Sequence, residues 1–296
     1  KFIVIGSNSF SGSHFVDYLL RKGESVIGMS RSPEPNDVFL PYKWRDHGNF
    51  NFLQLDLNHD LEKMISVIKE HQSKYIVNFA AQSMVGESWQ HPEHWFQTNA
   101  VSTVKLHDEL RKLDFLKKYV HISTPEVYGT CRGLIPEHTN YHPSTPYAVS
   151  RAAADMSLMS IYDTHKFPVV FTRAANVFGP GQQLYRIIPR TILFFMTGRK
   201  LQLHGGGHSV RSFIHINDVA DGTYRVAKEA PIGEMYHFST TRNISVREVV
   251  EMIARQVKVS FEDNVEIVGE RLGKDSAYLL DSSKVIKTLG WLPQIE

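Results

Sequence analysis

Between Ser123 and Arg151 the chain concentrates side chains that can move protons. Ser123-Thr124-Pro125-Glu126-Val127-Tyr128-Gly129 supplies hydroxyls, a carboxylate and a phenol, and Tyr147-Ala148-Val149-Ser150-Arg151 adds a second phenol and a guanidinium. A phenol titrates at about 10 in water, so acting as a base near neutrality requires about 4 kcal/mol of preference for its anion. A nearby cation can supply much of that. Tyr147 and Arg151 are four residues apart and share one helix face. Spacing alone decides nothing, because Tyr18 and Lys22, Tyr128 and Arg132, Tyr162 and Lys166, and Tyr224 and Lys228 share it. Context decides. Tyr147 opens a helix behind Pro143, Ser144, Thr145 and Pro146, about two dozen residues after an apolar run that ends in Ser-Thr.

The elements that must position these groups alternate along the chain. Phe2-Ile3-Val4-Ile5 reads as a buried parallel strand, and Gly6-Ser7-Asn8-Ser9-Phe10-Ser11-Gly12 follows it into a helix with Phe15, Val16, Leu19 and Leu20 on one face. Strand, glycine-bearing turn and helix N-terminus together form a cradle for a pyrophosphate, although Ser9 stands where a third glycine is usual. The next strand, Ser25 to Met29, ends in Ser30, Arg31 and Ser32 instead of an acid. Two hydroxyls and a guanidinium suit a 2′-phosphate, so NADP is expected over NAD. Phe52 to Leu57 reads as a third strand, with Asp56 and Leu57 placed to meet an adenine. After Tyr75 to Phe79, the small residues Ala80-Ala81-Gln82-Ser83 let backbone approach a cofactor.

A helix from about Pro92 to Leu113, a strand over Tyr119 to Ile122, the helix from Tyr147 to about His165 and a sixth strand at Val169-Val170-Phe171 complete the rhythm. Such alternation predicts an α/β fold with a doubly wound parallel sheet of the Rossmann kind. Beyond Asn176, Gly179-Pro180-Gly181 and Gly205-Gly206-Gly207 cut the chain into shorter elements. We therefore expect a cofactor domain over 1–176 and a smaller mixed substrate domain over 177–296, with about 212–230 returning to the first.

The 296 residues, 42% hydrophobic and 22% charged, are ordinary globular material. A formal charge of +2, with basic residues scattered, gives no reason to expect nucleic acid or an anionic membrane as partner. Cys131 is the one cysteine, which excludes an internal disulfide and fits a reducing compartment. No apolar run is long enough to span a membrane and no signal peptide precedes the first one, so the expectation is a cytoplasmic chain with a trimmed start. The pairs His138/His142, His204/His208 and His91/His94 have no Cys or acid completing a ligand set, so no metal is expected, and Cys131 has no evident activating partner.

Taken together, these stretches resemble the extended short-chain dehydrogenase/reductases that act on nucleotide sugars. Besides the motifs already quoted, the resemblance rests on Asn78 and Phe79, on Arg173-Ala174-Ala175-Asn176-Val177-Phe178-Gly179-Pro180, and on Arg211 to Val219. It continues through Glu270-Arg271-Leu272-Gly273-Lys274-Asp275 and Leu289-Gly290-Trp291, and so covers essentially the whole chain. Thr124, Glu126 and Tyr128 fall in the signature loop of the 4,6-dehydratases, and the Ala-Ala-Gln-Ser stretch is similar to that of the GDP-mannose enzymes.

The resemblance implies that Thr124, Glu126, Tyr147 and Arg151 are catalytic. Gly6, Ser9, Phe10, Ser11, Gly12, Ser30, Arg31, Ser32, Asp56, Leu57, Ala80, Ala81, Gln82, Asn99 and Ser123, with Tyr147 and Arg151, would hold the cofactor. Ser83, Thr124, Glu126, Asn176, Arg186, Pro189, Arg190, Arg211 and Arg271 would hold the substrate. Two positions depart from the family: Arg151 stands where it has lysine, and Pro125 where many dehydratases have Asp. The resemblance also implies a homodimer through a four-helix bundle of the 92–113 and 147–165 helices. An epimerase, and a silent binding protein of the same fold, stay open as alternatives.

Overall fold

The computed structural model describes residues 1–46, 48–131, 133–269 and 279–295. Seven parallel strands form the main sheet: β1 (Phe2–Ile5), β2 (Val26–Ser30), β3 (Phe50–Gln54), β4 (Tyr75–Asn78), β5 (Lys118–Ile122), β6 (Val169–Ala174) and β7 (Met235–Phe238). Their order across the sheet is β7-β6-β5-β4-β1-β2-β3. This is the doubly wound arrangement expected, with the order reversing beside β1, where such folds bind ligands. The outermost strand on the β6 side, β7, comes from late in the chain.

Strand β1 is apolar and buried throughout because both of its faces are covered. Alternate residues of β1 enter different cores. Phe2 and Val4 join Phe15, Val16 and Leu19 of α1 (Phe10–Arg21), together with Val219 and Val226 of the helix Ile216–Glu229. Ile3 and Ile5 face Met64, Ile65 and Ile68 of α2 (Leu61–His71) and Leu158 of α3 (Pro146–His165). Strand β3 stops at Gln54 rather than running to Leu57. The reason is a turn at Asp56, whose carbonyl accepts the amides of His59 at 3.0 Å and Asp60 at 2.7 Å. The helix expected over 92–113 is composite: Pro92–Trp95, a π-helical turn over Phe96–Ser102, and Thr103–Leu110. A π turn widens the helix and is frequent at functional sites; here it carries Asn99.

A smaller unit packs Phe195 of α4 (Ile187–Met196) with Leu201 and Leu203 of the strand Leu201–His204 and with Val250 and Ala254 of the helix Val246–Val257. Strand Val210–His215 lies between Asn243–Ser245, antiparallel, and Asn176–Phe178, parallel. Among the described residues no helix is long and apolar enough to cross a membrane.

Candidate active site

The turn after β1 is built for close approach. Gly6 has φ +81°, and a side-chain carbon there would sit 2.7 Å from the Ala80 amide at the end of β4. A side chain at Gly12 would overlap the Gly6 carbonyl. Ser9 does the work of a cap where a third glycine is usual: its hydroxyl donates to Gly6 O at 2.7 Å and accepts the Gly12 amide at 3.1 Å. The amides of Phe10 and Ser11 open α1 before any intrahelical acceptor exists for them. Glycine turn, helix N-terminus and the Phe79-Ala80 backbone thus meet, the kind of arrangement in which free amides and the helix dipole favour a pyrophosphate.

Tyr147 is set by its helix start. Thr145 accepts the Ala148 amide at 3.1 Å, Pro146 occupies the first turn, and Ser88 Oγ accepts the Tyr147 amide at 3.2 Å. Thr124, Arg151, Glu126 and Arg186 all act on the Tyr147 phenol electrostatically. Burial pushes the phenol up; Arg151, Thr124 and Arg186 pull it down without cancelling the burial, and Glu126 adds to the rise. Thr124 also starts the short turn Pro125–Tyr128, accepting the Glu126 amide at 3.3 Å. Pro125 therefore has a local reason: its fixed φ suits the first position of a helical turn.

Arg151 is 3% exposed and donates to Ile122 O at the end of β5, while its Nε is buried with no hydrogen-bond partner. An orphaned buried donor one helical turn from Tyr147 fits an acceptor such as a ribose hydroxyl. Together with the glycine cradle, this is the observation by which the site fits a dinucleotide.

Other expected residues fall in different surroundings. Ser83 is exposed, and Ala81 and Gln82 are half-buried in the loop after β4. Asn99 is fully buried. It accepts the Gln82 amide at 2.8 Å and donates to Gln82 O and Ser150 Oγ at 3.0 Å each, so it braces the loop after β4 against α3. Ser123 turns inward to Asp155 Oδ2 at 2.6 Å. Asp56 is half-buried at the carboxyl end of β3 and accepts the Asn58 amide at 2.8 Å, while Leu57 packs into the core.

Asn176 and Arg211 lie on neighbouring strands, Asn176 paired with Phe213, two residues on from Arg211. Arg211 is buried and donates to Val210 O at 2.8 Å. Arg186 is exposed at the start of α4, followed by Pro189 and Arg190, whose guanidinium lies 5.0 Å from the Phe194 ring. Arg271 lies outside the described residues. Sequence reasoning passed over Ser88, Asp155 and Arg173. Asp155, two turns beyond Tyr147 on the same helix, carried a legible signal, and Arg173 stood inside a quoted motif without a role.

The sequence matches the family described as GDP-mannose 4,6 dehydratase over residues 3–296. It is 34% identical over 294 residues to the low-salt glycan biosynthesis protein Agl12 of Haloferax volcanii, covering 99% of this chain and 93% of that protein. The structure of DesIV, a dTDP-glucose 4,6-dehydratase from Streptomyces venezuelae with NAD bound, is similar with a TM-score of 0.92 at 28% identity, covering 100% of this chain and 92% of that one. A dTDP-glucose 4,6-dehydratase from Bacillus anthracis in complex with NAD gives 0.90 at 30% identity, covering 99% and 91%.

The expectation of NADP over NAD is overturned by these neighbours, which carry NAD. A structural reason is visible. Ser30 is buried and its hydroxyl accepts the Asn8 amide at 3.1 Å, while Asn8 Nδ2 donates to the carbonyls of Ser32 at 3.0 Å and Pro33 at 3.2 Å. The segment is knit to the glycine turn, so the Ser30 hydroxyl is spent, and Arg31 and Ser32 stand exposed. The chain belongs to the nucleotide-sugar 4,6-dehydratase family of the extended short-chain dehydrogenase/reductases.

Proposed function

We propose that this protein removes one water from a nucleoside-diphosphate hexose, using NAD held at the glycine turn and over Tyr147 and Arg151. The convergence of Thr124, Glu126, Arg151 and Arg186 on the Tyr147 phenol carries the proposal. When bound, NAD supplies a hydride acceptor for carbon 4 and later a donor for carbon 6, with no net reduction.

The protein's part is to move protons. Tyr147 as its anion takes the 4-hydroxyl proton as the ketone forms. Burial opposes that anion, so Arg151 and the Thr124 hydroxyl are the groups in the chain that favour it. The new carbonyl acidifies the carbon 5 proton, and Glu126 removes it. Hydroxide leaves carbon 6 with a proton as water, and carbon 5 is reprotonated as the hydride returns to carbon 6. With Pro125 in the loop, Glu126 is the acid nearest in sequence for that departure. Arg151 keeps its charge but does not deprotonate, so it orients ribose and stabilises the phenolate without relaying a proton.

Asn176, Arg186, Arg190 and Arg211 form the side that would take the diphosphate and base, since guanidinium forks suit phosphate oxygens; Pro189 lies among them, and we keep Arg271 in this set. We divide the labour between 1–176 for the cofactor and 177–296 for the nucleotide sugar, with 212–230 returning to the first. We further propose a homodimer: Phe96, Val101, Val149 and Met156 are exposed on the two long helical segments, an apolar area that a second copy would cover. The single cysteine supports placement in the cytoplasm.

The test is to incubate the protein with NAD and a panel of GDP-, dTDP-, CDP- and UDP-hexoses and weigh the products. Loss of one water from one sugar, with no net reduced cofactor, is expected. An isomer of unchanged mass would make it an epimerase, and binding without product across the panel would refute catalysis.

A further inference from the structure

Beneath the phenol and the glutamate runs a buried polar chain that the chemistry above leaves unused. Its centre is Arg173 on β6, which is fully buried. One guanidinium nitrogen donates to Asp155 Oδ2 at 2.7 Å and to the Tyr141 hydroxyl at 2.5 Å, the other donates to the Tyr128 hydroxyl, and Nε reaches Ser123 Oγ at 3.4 Å. The guanidinium carbon lies 4.6 Å from the centre of the Tyr128 ring and 5.0 Å from that of Tyr141. Asp155 accepts from Ser123 Oγ at 2.6 Å and faces His121 Nε2 at 3.2 Å.

A guanidinium only donates, so the Tyr128 hydroxyl accepts from Arg173 and donates its hydrogen to His237 Nε2 at 2.8 Å, the shorter of its two acceptor contacts, leaving Nδ1–H of that ring to donate to Ile135 O at 3.2 Å. Burying an ion pair this completely is justified by what it holds, because its desolvation cancels much of the attraction. Here it joins two units. Asp155 lies two turns beyond Tyr147 on α3, while Ser123 and Tyr128 bracket Thr124 and Glu126 in the loop.

We propose that Arg173 and Asp155 are positioning residues that fix the Glu126 carboxylate relative to the Tyr147 phenol. Tyr147 shares a rigid helix with Asp155. Glu126 sits on a four-residue turn, Pro125–Tyr128, with Ser123 and Tyr128 on either side of it and both hydroxyls tied to the pair. Loosening the loop side therefore displaces the group that acts at carbon 5 more than the one that acts at carbon 4, which keeps its place on α3 beside Arg151 and gives up only the help of Thr124. The kinetic consequence rests on the dehydratase reading; the mechanical one does not.

The experiment compares Tyr128→Phe and Arg173→Lys with the parent, in the full-length protein with NAD. Tyr128→Phe keeps the ring and loses the hydroxyl. Arg173→Lys keeps the charge but cannot serve all four acceptors. In hydrogen–deuterium exchange, amides of 123–129 should exchange about tenfold faster in both, with 146–165 unchanged, as expected for local rather than global opening.

In turnover, kcat should fall about tenfold, the size that one charge-assisted hydrogen bond supplies, with KM held within about twofold. Reduced-nicotinamide absorbance should build up in the steady state, because oxidation outruns elimination. Unchanged exchange in 123–129, or faster exchange spread evenly over the chain, would overturn the clamp. Loss of kcat with no build-up of reduced nicotinamide would overturn its role in placing Glu126. If the parent converts no nucleotide sugar, the dehydratase reading fails, and the exchange result alone decides the clamp.

Discussion

Lowering the pH should destabilise the protein well before its carboxylates titrate. His14 and His237 are buried neutral. Burial lowers the His14 ring from 6.5 to about 4, against a weaker opposing pull from the Pro180 carbonyl 2.9 Å from its Nε2. Burial, reinforced by Arg173, lowers His237 from 6.5 to about 3. Both folded values lie below the unfolded one, so each contribution is complete above about pH 6.5 and is lost as pH falls toward the folded value.

At about pH 5 the unfolded rings are almost fully protonated and the folded ones are not, which costs about 2 kcal/mol each, or about 4 kcal/mol together. His107 and His121, also lowered by burial, push the same way. Glu137, whose carboxyl burial raises, pushes the opposite way and trims the total. Against a stability of about 5–15 kcal/mol such a loss is large. Denaturant midpoints measured from about pH 7.5 down to about pH 5 should fall steeply. His14→Gln, which can still donate to Pro180 O but does not titrate, should reduce the drop by about 2 kcal/mol. A flat profile across this range, or a His14→Gln slope equal to that of the parent, would refute the reasoning.

Gly12→Ala should weaken NAD binding by about tenfold or more, because the added carbon overlaps the Gly6 carbonyl and forces the turn open; calorimetric titration reads this directly. Tyr147→Phe should lower kcat by about 10²–10⁴ while substrate affinity is retained, as single-turnover kinetics and equilibrium binding would separate. Met156→Glu, at a side chain 59% exposed on α3, should shift the protein from dimer to monomer on a sizing column; an unchanged elution volume sinks the proposed interface.

Much of the architecture was legible in one dimension, because it follows from local rules. All-apolar runs such as Phe2–Ile5 mean a strand covered on both faces, and helical apolar spacing after Gly12 means α1. Tyr147 was legible as a phenol that opens a helix because Thr145 and Pro146 mark the helix start. Spacing could not say how polar groups are spent. Ser30 and Asn99 have the right types at the right places to touch a cofactor, yet the Ser30 hydroxyl goes to Asn8 and the Asn99 amide to Gln82 and Ser150.

Ser123 is likewise taken by Asp155, and Arg173 gathers Tyr128, Tyr141 and Asp155 from 18 to 45 residues away. Hydrogen bonds saturate, and which of several possible partners uses up a donor is settled by who is within about 3 Å after packing. The sequence by itself therefore determined the strand and helix order, the glycine turn and the cast of proton-moving side chains. Tertiary structure alone decided which of those side chains remain for a ligand and which are consumed in holding the others, because partners distant in sequence become neighbours only when the core closes.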